Sequence, residues 1–318
     1  MLIFNDSKLE GRPALCRKSA SFRLRAFAAA VAALFALAAP ATAAVEQDVP
    51  VPPQRAVVFD PASLDTLDAL GVDVAGVPGS HLPPYLARYG DARHIKVGTL
   101  FEPDYEAVAA LAPDVILIGP RMAAKRRDLA ALAPTLDLSI DDRHFLAGAQ
   151  QNIDRLGRLF DKAEAAAALK ARLAAATDRV KALAPEAGTV LIVMVNGGKL
   201  TAYGPGSRFG WIHDDLGIRP AVPGVEATTH GEVISFELIL KTDPDWLFVL
   251  DRDAAVGHAG TAARKVMDND IIAATRAAKA GRILYLDPQR WYITSGGGAA
   301  LSTIAETLVD AFSRGRAP

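Results

Sequence analysis

The chain has 318 residues, one cysteine and a formal net charge of −1. The first 43 residues carry six basic and two acidic side chains, so the remainder has a charge of −5 and lacks the basic footprint of a nucleic-acid-binding protein. Residues 44–318 are enough chain for one sizeable core or for two modest lobes, and a lone cysteine excludes an internal disulfide.

Residues 1–43 have the organisation of a secretory signal peptide. Basic residues precede an uncharged apolar stretch from Ala26 to Ala39, and Ala41-Thr42-Ala43 follows. An Ala-x-Ala site after a short apolar stretch is typical of an export signal, and this stretch is too short to span a membrane. The basic region is longer than usual, so translation starts either at Met1 or further downstream, and export is predicted in both cases.

The position of Cys16 indicates whether the exported protein carries a lipid anchor. Cys16 precedes the apolar stretch, so no cysteine is available for lipid attachment at the cleavage site. We therefore predict a mature protein that is free in solution outside the cytoplasm, without a lipid anchor and without disulfides. A monomer is the expected state.

An imperfect internal repeat organises the rest of the chain. The segment from Glu106 to Ile118 recurs as Glu237 to Val249, and each copy reads as an amphipathic helix, a Pro-Asp break and an apolar strand. Leu70-Gly71-Val72 and Leu216-Gly217-Ile218 precede the two copies and predict a helix that stops at glycine. The repeat predicts two related α/β lobes.

A helical segment lies between the two copies. Phe145 to Leu183 is rich in Ala, Leu, Lys and Arg, and Pro185 bounds it. We predict one long helix over residues 145–184, joining an N-terminal lobe of residues 44–144 to a C-terminal lobe of residues 185–318. The lobes would leave a cleft where loops gather at the strand ends. One continuous doubly wound domain is the alternative.

Tyr292 is the most informative residue near the end of the chain. It lies between Pro288 and the run Gly296 to Gly298, before a final segment with a helical pattern. Proline and glycine favour irregular backbone and close approach, which is unusual around a core aromatic ring. Burial in the core remains the alternative. The glycine run either offers N–H groups to an anion or frees the chain to turn.

Four short segments occur in order: Gly206-Ser207-Arg208-Phe209-Gly210, Thr229-His230-Gly231, Leu250-Asp251-Arg252-Asp253 and Trp291-Tyr292-Ile293-Thr294-Ser295-Gly296. Because of these four segments, the chain resembles the periplasmic binding proteins of the iron-siderophore and cobalamin class. The resemblance extends from Arg55 to the C-terminus. The resemblance is greatest to the enterochelin-uptake type, which binds ferric catecholates. It implies a class III fold, with two Rossmann-like α/β lobes joined by a single long helix.

The resemblance implies that His230 and Tyr292 complete the coordination of Fe(III) when a siderophore offers four oxygen donors. Fe(III) is a hard ion that favours phenolate oxygen, and imidazole is an acceptable partner. Iron would arrive as the siderophore complex, with no intrinsic cofactor in the protein. Both ligands bind without a proton, so affinity through them should weaken as pH falls. An ordinary loop histidine is the alternative for His230.

The resemblance also implies that Arg121, Arg208 and Arg252 bind the anionic ferric catecholate. A guanidinium group donates to catecholate oxygens and stacks on aromatic rings better than an ammonium group does. Arg121 and Arg252 follow the two repeated strands, so they should face each other across the cleft. Surface charge, or an ion pair between Asp251 and Arg252, is the alternative.

Glu106 and Glu237 occupy equivalent positions in the repeat. The resemblance implies that such glutamates at the lobe tips contact basic residues of an ABC transporter permease. Solvated surface charges are the alternative. No role is predicted for three residues near the proposed site, Tyr203, Trp291 and His258.

The predicted function is the capture of a ferric catecholate for an ABC importer. Another chelated metal is the nearest alternative, as haem, cobalamin or a ferric hydroxamate, although three arginines favour an anionic ligand over cobalamin. A secreted hydrolase is a further alternative. The sequence has no Gly-x-Ser-x-Gly elbow after a strand and no His-Glu-x-x-His motif, so we predict that the chain is not an enzyme.

Overall fold

Two β-sheets form in the computed structural model, which describes residues 49–222, 231–258 and 262–315. The strands of this part of the chain are β1 (Ala56–Val58), β2 (Gly76–Val77), β3 (Ile95–Lys96), β4 (Val115–Ile118), β5 (Thr135–Asp137), β6 (Thr189–Asn196), β7 (Lys199–Tyr203), β8 (Arg219–Pro220), β9 (Glu232–Ile234), β10 (Trp246–Asp251) and β11 (Ile283–Tyr285).

The α-helices of the same residues are α1 (Pro61–Ala69), α2 (Tyr105–Leu111), α3 (Arg126–Leu129), α4 (Phe145–Leu159), α5 (Ala163–Ala187), α6 (Trp211–Asp214), α7 (Phe236–Thr242), α8 (Arg252–Ala255), α9 (Ala263–Met267), α10 (Asp270–Ala273), α11 (Arg276–Lys279) and α12 (Gly298–Arg314). Short 3₁₀ helices span Pro84–Gly90, Pro120–Lys125 and Asp142–His144, and a π-helical turn spans Gln289–Ile293.

The N-terminal sheet has the strand order β3-β2-β1-β4-β5, and every pairing in it is parallel. The central strands β1 and β4 are entirely apolar and buried, as expected for strands covered on both faces. Because the carboxyl ends of parallel strands share one edge, Asp60 after β1 and Arg121 after β4 reach the same end of the sheet.

The C-terminal sheet has the order β11-β10-β6-β7-β9, with β8 beside the start of β6. Strands β6, β8, β10 and β11 are parallel, whereas β7 is antiparallel to both of its neighbours. Gly197 and Gly198 have φ values of 55° and 80° in the turn between β6 and β7. Two positive φ values suit the tight turn of a two-residue hairpin. Because this hairpin makes β7 antiparallel to β6, the sheet of this lobe is mixed.

The predicted internal repeat is confirmed in detail. Helices α2 and α7 both end at a residue in the left-handed conformation, Ala112 (φ 45°) and Asp243 (φ 46°). The aspartates that follow, Asp114 and Asp245, accept from main-chain N–H groups at the start of the neighbouring strand, at 2.9 Å and 2.8 Å. Each copy therefore closes its helix and anchors the adjacent central strand in the same way.

The prediction of one helix over residues 145–184 is wrong, because the segment forms α4 and α5 with a break between them. Asp161 adopts φ 53°, and the Lys162 N–H donates to the Gly157 carbonyl at 2.7 Å. This pattern ends a helix. A Cβ on Gly157 would lie 2.4 Å from that of Ala166, so glycine lets α5 fold back closely on α4. Helix α5 is the long helix, and it continues through Pro185.

The start of α12 is held by α1, from the N-terminal lobe. The Asp65 carboxylate accepts from the N–H groups of Ala299 (2.9 Å) and Ala300 (3.0 Å), and the Tyr85 hydroxyl donates to it at 2.9 Å. A Cβ on Gly297 would lie 2.4 Å from Asp65 Oδ2. The glycine run thus allows close approach, and the anion at this helix N-terminus is the protein's own carboxylate.

One apolar cluster extends through both lobes. It includes side chains of β1 and β4, of β6 and β10, and of the helices α1, α4, α5 and α12. Two related lobes that share a core cannot separate without exposing it to water, so the packing favours a small hinge motion.

No helix in the three described stretches is long and apolar enough to cross a membrane. The predicted signal peptide of residues 1–43 lies outside the described residues.

Asp65 should make stability depend on pH. Burial raises its pKa to about 6, although hydrogen bonds from Ala300 and Tyr85 oppose the rise. The folded state therefore binds this proton more tightly than the unfolded chain does, and the stabilisation is complete below about pH 4 and lost as pH rises through 6. Between those limits, the free energy of unfolding of the parent should fall by about 3 kcal/mol relative to the Asp65→Asn variant.

Urea unfolding of both proteins across this pH range measures the difference. Asp128→Asn, a change of an exposed carboxylate on α3, is the control and should leave the pH profile unchanged. Parallel profiles for the parent and Asp65→Asn would contradict the prediction.

Candidate ligand-binding cleft

A cavity of about 450 Å³ lies between the loops of the two lobes. Four of the residues predicted for the site, Arg121, Arg208, Arg252 and Tyr292, contribute to its wall. Its volume is within the usual range for small-molecule sites.

Tyr292 is presented by the π-helical turn between β11 and α12. The Thr294 N–H donates to the Gln289 carbonyl at 3.0 Å, which closes the turn, and Asp287 caps its start by accepting from the Gln289 N–H at 2.9 Å. Turns of this kind are frequent at functional sites. The neighbouring Trp291 is buried, so the turn places one aromatic side chain in the core and the next in the cleft.

Three guanidinium groups converge on Tyr292. Arg121 Nη2 and Arg208 Nη2 donate to its carbonyl oxygen, at 2.8 Å and 3.3 Å, and Arg252 Nε donates to its phenol oxygen at 3.1 Å. The guanidinium carbons lie 4.5 Å (Arg208), 5.7 Å (Arg252) and 6.0 Å (Arg121) from the ring centroid. The two strand-end arginines predicted to face each other do meet, around this ring.

The three arginines belong to different secondary-structure elements, and this determines the side from which each guanidinium group reaches Tyr292. Arg121 lies in the 3₁₀ helix after β4, Arg208 in the turn before α6, and Arg252 at the start of α8 after β10. Arg252 Nη1 also donates to the Asn196 side chain at the end of β6, at 3.3 Å. The Arg121 hydrogen bond crosses the cleft from the N-terminal lobe to the C-terminal lobe.

The arginines of the cleft are not ion-paired among the described residues, although the carboxylates of Asp60 and Asp142 line the same cavity. None of the three arginines belongs to an ion pair with another described residue. Asp251, the alternative partner of Arg252, instead accepts from the N–H groups of Ala254 and Ala263. The charge of Asp60 acts against the lowering of the Arg121 pKa by burial. The Asp60 carboxylate itself caps α1, because it accepts from the Ser63 N–H at 2.9 Å and from the Ser63 hydroxyl at 2.6 Å.

This arrangement changes two ionisation equilibria. Burial would raise the pKa of the Tyr292 phenol, but the hydrogen bond from Arg252 and the charges of Arg208, Arg252 and Arg121 together lower it below its ordinary value of 10. Burial, and then the charge of Arg208, lower the pKa of Arg121. The lowered pKa of Tyr292 indicates that the site favours negative charge at the phenol oxygen.

The opposite wall of the cleft was not predicted. It comes from loops after β2, β3 and β5 and from α4, and most of its side chains are apolar or neutral: His81, Leu100, Phe101, Leu138, Ile140, Phe145, Asn152 and Leu156. Asp142 adds one carboxylate to this wall. The sequence did hold a usable signal, since the loops at the carboxyl ends of all parallel strands gather at one edge of a sheet.

The other predicted residues lie elsewhere. His230 is outside the described residues, so its role as an iron ligand stays a prediction. Glu106 and Glu237 are exposed in the first turns of α2 and α7, as the repeat implied. Tyr203 is buried in the core like Trp291, and His258 is exposed.

Residues 57–290 match the family described as periplasmic binding protein. The chain belongs to this family. Its members are binding proteins, so the chain binds a solute and is not an enzyme. The matched stretch contains all three arginines and ends two residues before Tyr292.

Curated relatives span most of the chain. It is 38% identical over 269 residues to the petrobactin-binding protein YclQ of Bacillus subtilis, covering 84% of each chain. It is 32% identical to the ferric-anguibactin-binding protein FatB of Vibrio anguillarum, covering 82% of this chain and 83% of that one.

Solved structures agree with this assignment. The crystal structure of YclQ superposes with a TM-score of 0.80, covering 83% of this chain and 93% of that chain. The periplasmic catecholate-siderophore binding protein VctP of Vibrio cholerae is 33% identical, with a TM-score of 0.75 and coverage of 84% of this chain and 95% of that chain. The two-lobed class III fold is thereby confirmed.

The electrostatics of the cleft can be tested without any ligand. We expect Tyr292 to ionise below pH 10 in the parent, and Arg252→Gln to raise its pKa because burial remains while a hydrogen bond and a charge are lost. Alkaline titration followed by ultraviolet difference absorbance, with Tyr292→Phe subtracted, measures this. Equal pKa values in the parent and Arg252→Gln would contradict it.

Proposed function

We propose that the protein captures a ferric siderophore of the catecholate type in its cleft and delivers it to an inner-membrane ABC importer. The observation that carries the proposal is the convergence of Arg121, Arg208 and Arg252, without carboxylate partners among the described residues, on Tyr292. Each catecholate group carries two negative charges, so a ferric complex of two or three catecholates is an anion. It would supply the counter-charge that the three arginines lack.

The chemistry of the donors supports a catecholate over a neutral ligand. Guanidinium groups donate in a planar fork and stack on aromatic rings, so they match both the oxygens and the ring of a catecholate. The name of one relative agrees with this ligand class, since VctP is named for catecholate siderophores.

Tyr292 would contribute a phenolate oxygen to the iron of a siderophore with four donors, and His230 would contribute an imidazole nitrogen. The lowered pKa of Tyr292 favours the deprotonated phenol that Fe(III) binds. The iron arrives as part of the ligand. Because both side chains bind without a proton, affinity should fall as the solution is acidified.

Delivery requires a surface that the importer recognises. Glu106 and Glu237 occupy equivalent exposed positions, one in each lobe, and would contact basic residues of the permease. The protein would act as a monomer in the periplasm, without a lipid anchor, since Cys16 precedes the apolar part of the predicted signal.

Titration of the mature protein with the ferric complex of a four-donor bis-catecholate tests the proposal. We expect quenching of tryptophan fluorescence and a shift of the visible charge-transfer band on binding. Tyr292→Phe and His230→Ala should each remove part of the shift, because each removes one iron ligand. A parent that does not bind would contradict the function, and unchanged spectra in both variants would contradict direct ligation.

A matched pair of arginine variants distinguishes binding in the cleft from non-specific electrostatic attraction. Arg208→Gln should weaken binding by roughly 10- to 100-fold, because a charge-assisted contact to the anion is lost. Arg264 lies 3.9 Å from the ring of Tyr285 and does not line the cleft, so Arg264→Gln is the control and should bind as the parent does. Equal losses in the two variants would point to non-specific attraction.

The docking surface is tested by uptake. The double variant Glu106→Gln, Glu237→Gln should bind the siderophore as the parent does, yet reduce iron uptake by cells that lack the native gene. Glu164→Gln is the control, because Glu164 is also exposed in the first turn of a helix. Uptake at the parental rate in the double variant would exclude both glutamates from docking.

A further inference from the structure

Phe101 is an exposed aromatic side chain at the mouth of the cleft. It is 56% exposed, and it is the one aromatic among the large apolar side chains exposed in the described stretches. It lines the cavity together with Leu100, which is buried beneath it. A ligand that covered this ring would remove its apolar surface from water, which is favourable.

The turn that carries Phe101 is tightly fixed. Thr99 Oγ1 accepts from the N–H groups of Phe101 (3.2 Å) and Glu102 (3.0 Å), and the Thr99 N–H donates to the Glu102 carbonyl at 2.8 Å. Gly98 has φ 112°, and a Cβ there would lie 2.4 Å from the Glu102 carbonyl. The backbone position of the ring is therefore set before any ligand arrives, which lowers the entropic cost of binding.

His81 lies on the neighbouring loop and also lines the cavity. The Gly79 N–H donates to the Gly98 carbonyl at 2.8 Å, which ties the loop after β2 to the loop after β3. His81 has φ 60°, a conformation that non-glycine residues rarely adopt. Residues held in such a conformation often belong to ligand sites, and the His81 imidazole is exposed at this one.

We propose that Phe101 and His81 form an aromatic lip that binds an aromatic ring of the siderophore on the side of the cleft opposite the arginines. Phe101 stacks on the ring, and His81 donates a hydrogen bond to an oxygen on it. The inference rests on the proposed function, because it names the part of the ferric catecholate that this wall recognises. The arginines then select for charge, whereas the lip selects for the planar face of a catecholate ring.

The chemistry of the two walls supports this division. The arginine side offers donors and positive charge, whereas the lip is continuous with apolar side chains of the N-terminal lobe and α4, among them Ile140 and Phe145. A ferric catecholate, with an anionic iron centre surrounded by aromatic rings, would match both surfaces at once. Stacked aromatic pairs contribute beyond the area that they bury.

The test compares dissociation constants for the ferric complex of a bis-catecholate. Phe101→Ala should weaken binding about tenfold, and Phe101→Leu by roughly threefold, because leucine keeps the apolar contact and loses the ring. His81→Asn, which tolerates the positive φ, should weaken binding by roughly threefold. The charge-transfer band should stay where it is in the parent, because no iron ligand changes.

Ile95→Ala is the control, since Ile95 is an exposed apolar residue of the same lobe that does not line the cleft. Parental affinity in Phe101→Ala would overturn the inference. Parental affinity with reduced uptake would also overturn it, and would assign Phe101 to contact with the permease. If the parent itself binds no ferric catecholate, the proposed function fails first, and that outcome is distinct from a failure of the lip alone.

Discussion

Mutual repulsion among three guanidinium groups is the constraint on which this binding site depends. Arg121, Arg208 and Arg252 lie within 6.0 Å of one tyrosine ring, and no carboxylate among the described residues pairs with them. The protein holds them by neutral acceptors, namely the Tyr292 carbonyl, the Tyr292 phenol and the Asn196 amide. The charge is therefore positioned and left available to an anionic ligand.

The surrounding fold provides the rigidity that this arrangement requires. The turn that carries Tyr292 is fixed by Asp287 at its start, and the helix that follows is held by Asp65 of the other lobe. Thr294 adds a second link, since its hydroxyl lies 2.7 Å from that of Tyr85. Because these contacts connect both lobes directly behind the cleft, a ligand that changed the separation of the lobes would have to break them. We therefore expect capture with little domain movement.

Much of the organisation could be predicted because it is encoded locally. The repeat consists of a helix, a Pro-Asp break and a strand, and residues close in sequence are enough to specify it. Both copies fold alike, and each helix ends at a residue in the left-handed conformation. Gly71 and Gly217 likewise end their helices with φ 69° and 71°. The break between α4 and α5 was missed because Asp161, in place of the usual glycine, adopts the left-handed conformation at a helix end.

The sequence alone determined the repeat and the two α/β lobes, because periodicity and turn chemistry are properties of short segments, and its resemblance to a known family implied the class III fold and the arginines of the site. Only the tertiary structure decided that Arg121 reaches across the cleft to Tyr292, that Asp65 occupies the N-terminus of α12, and that His81 and Phe101 share a wall of the cavity. Arg121 and Tyr292 are 171 residues apart. Contacts between such distant residues depend on how the lobes pack, and no local pattern records that packing.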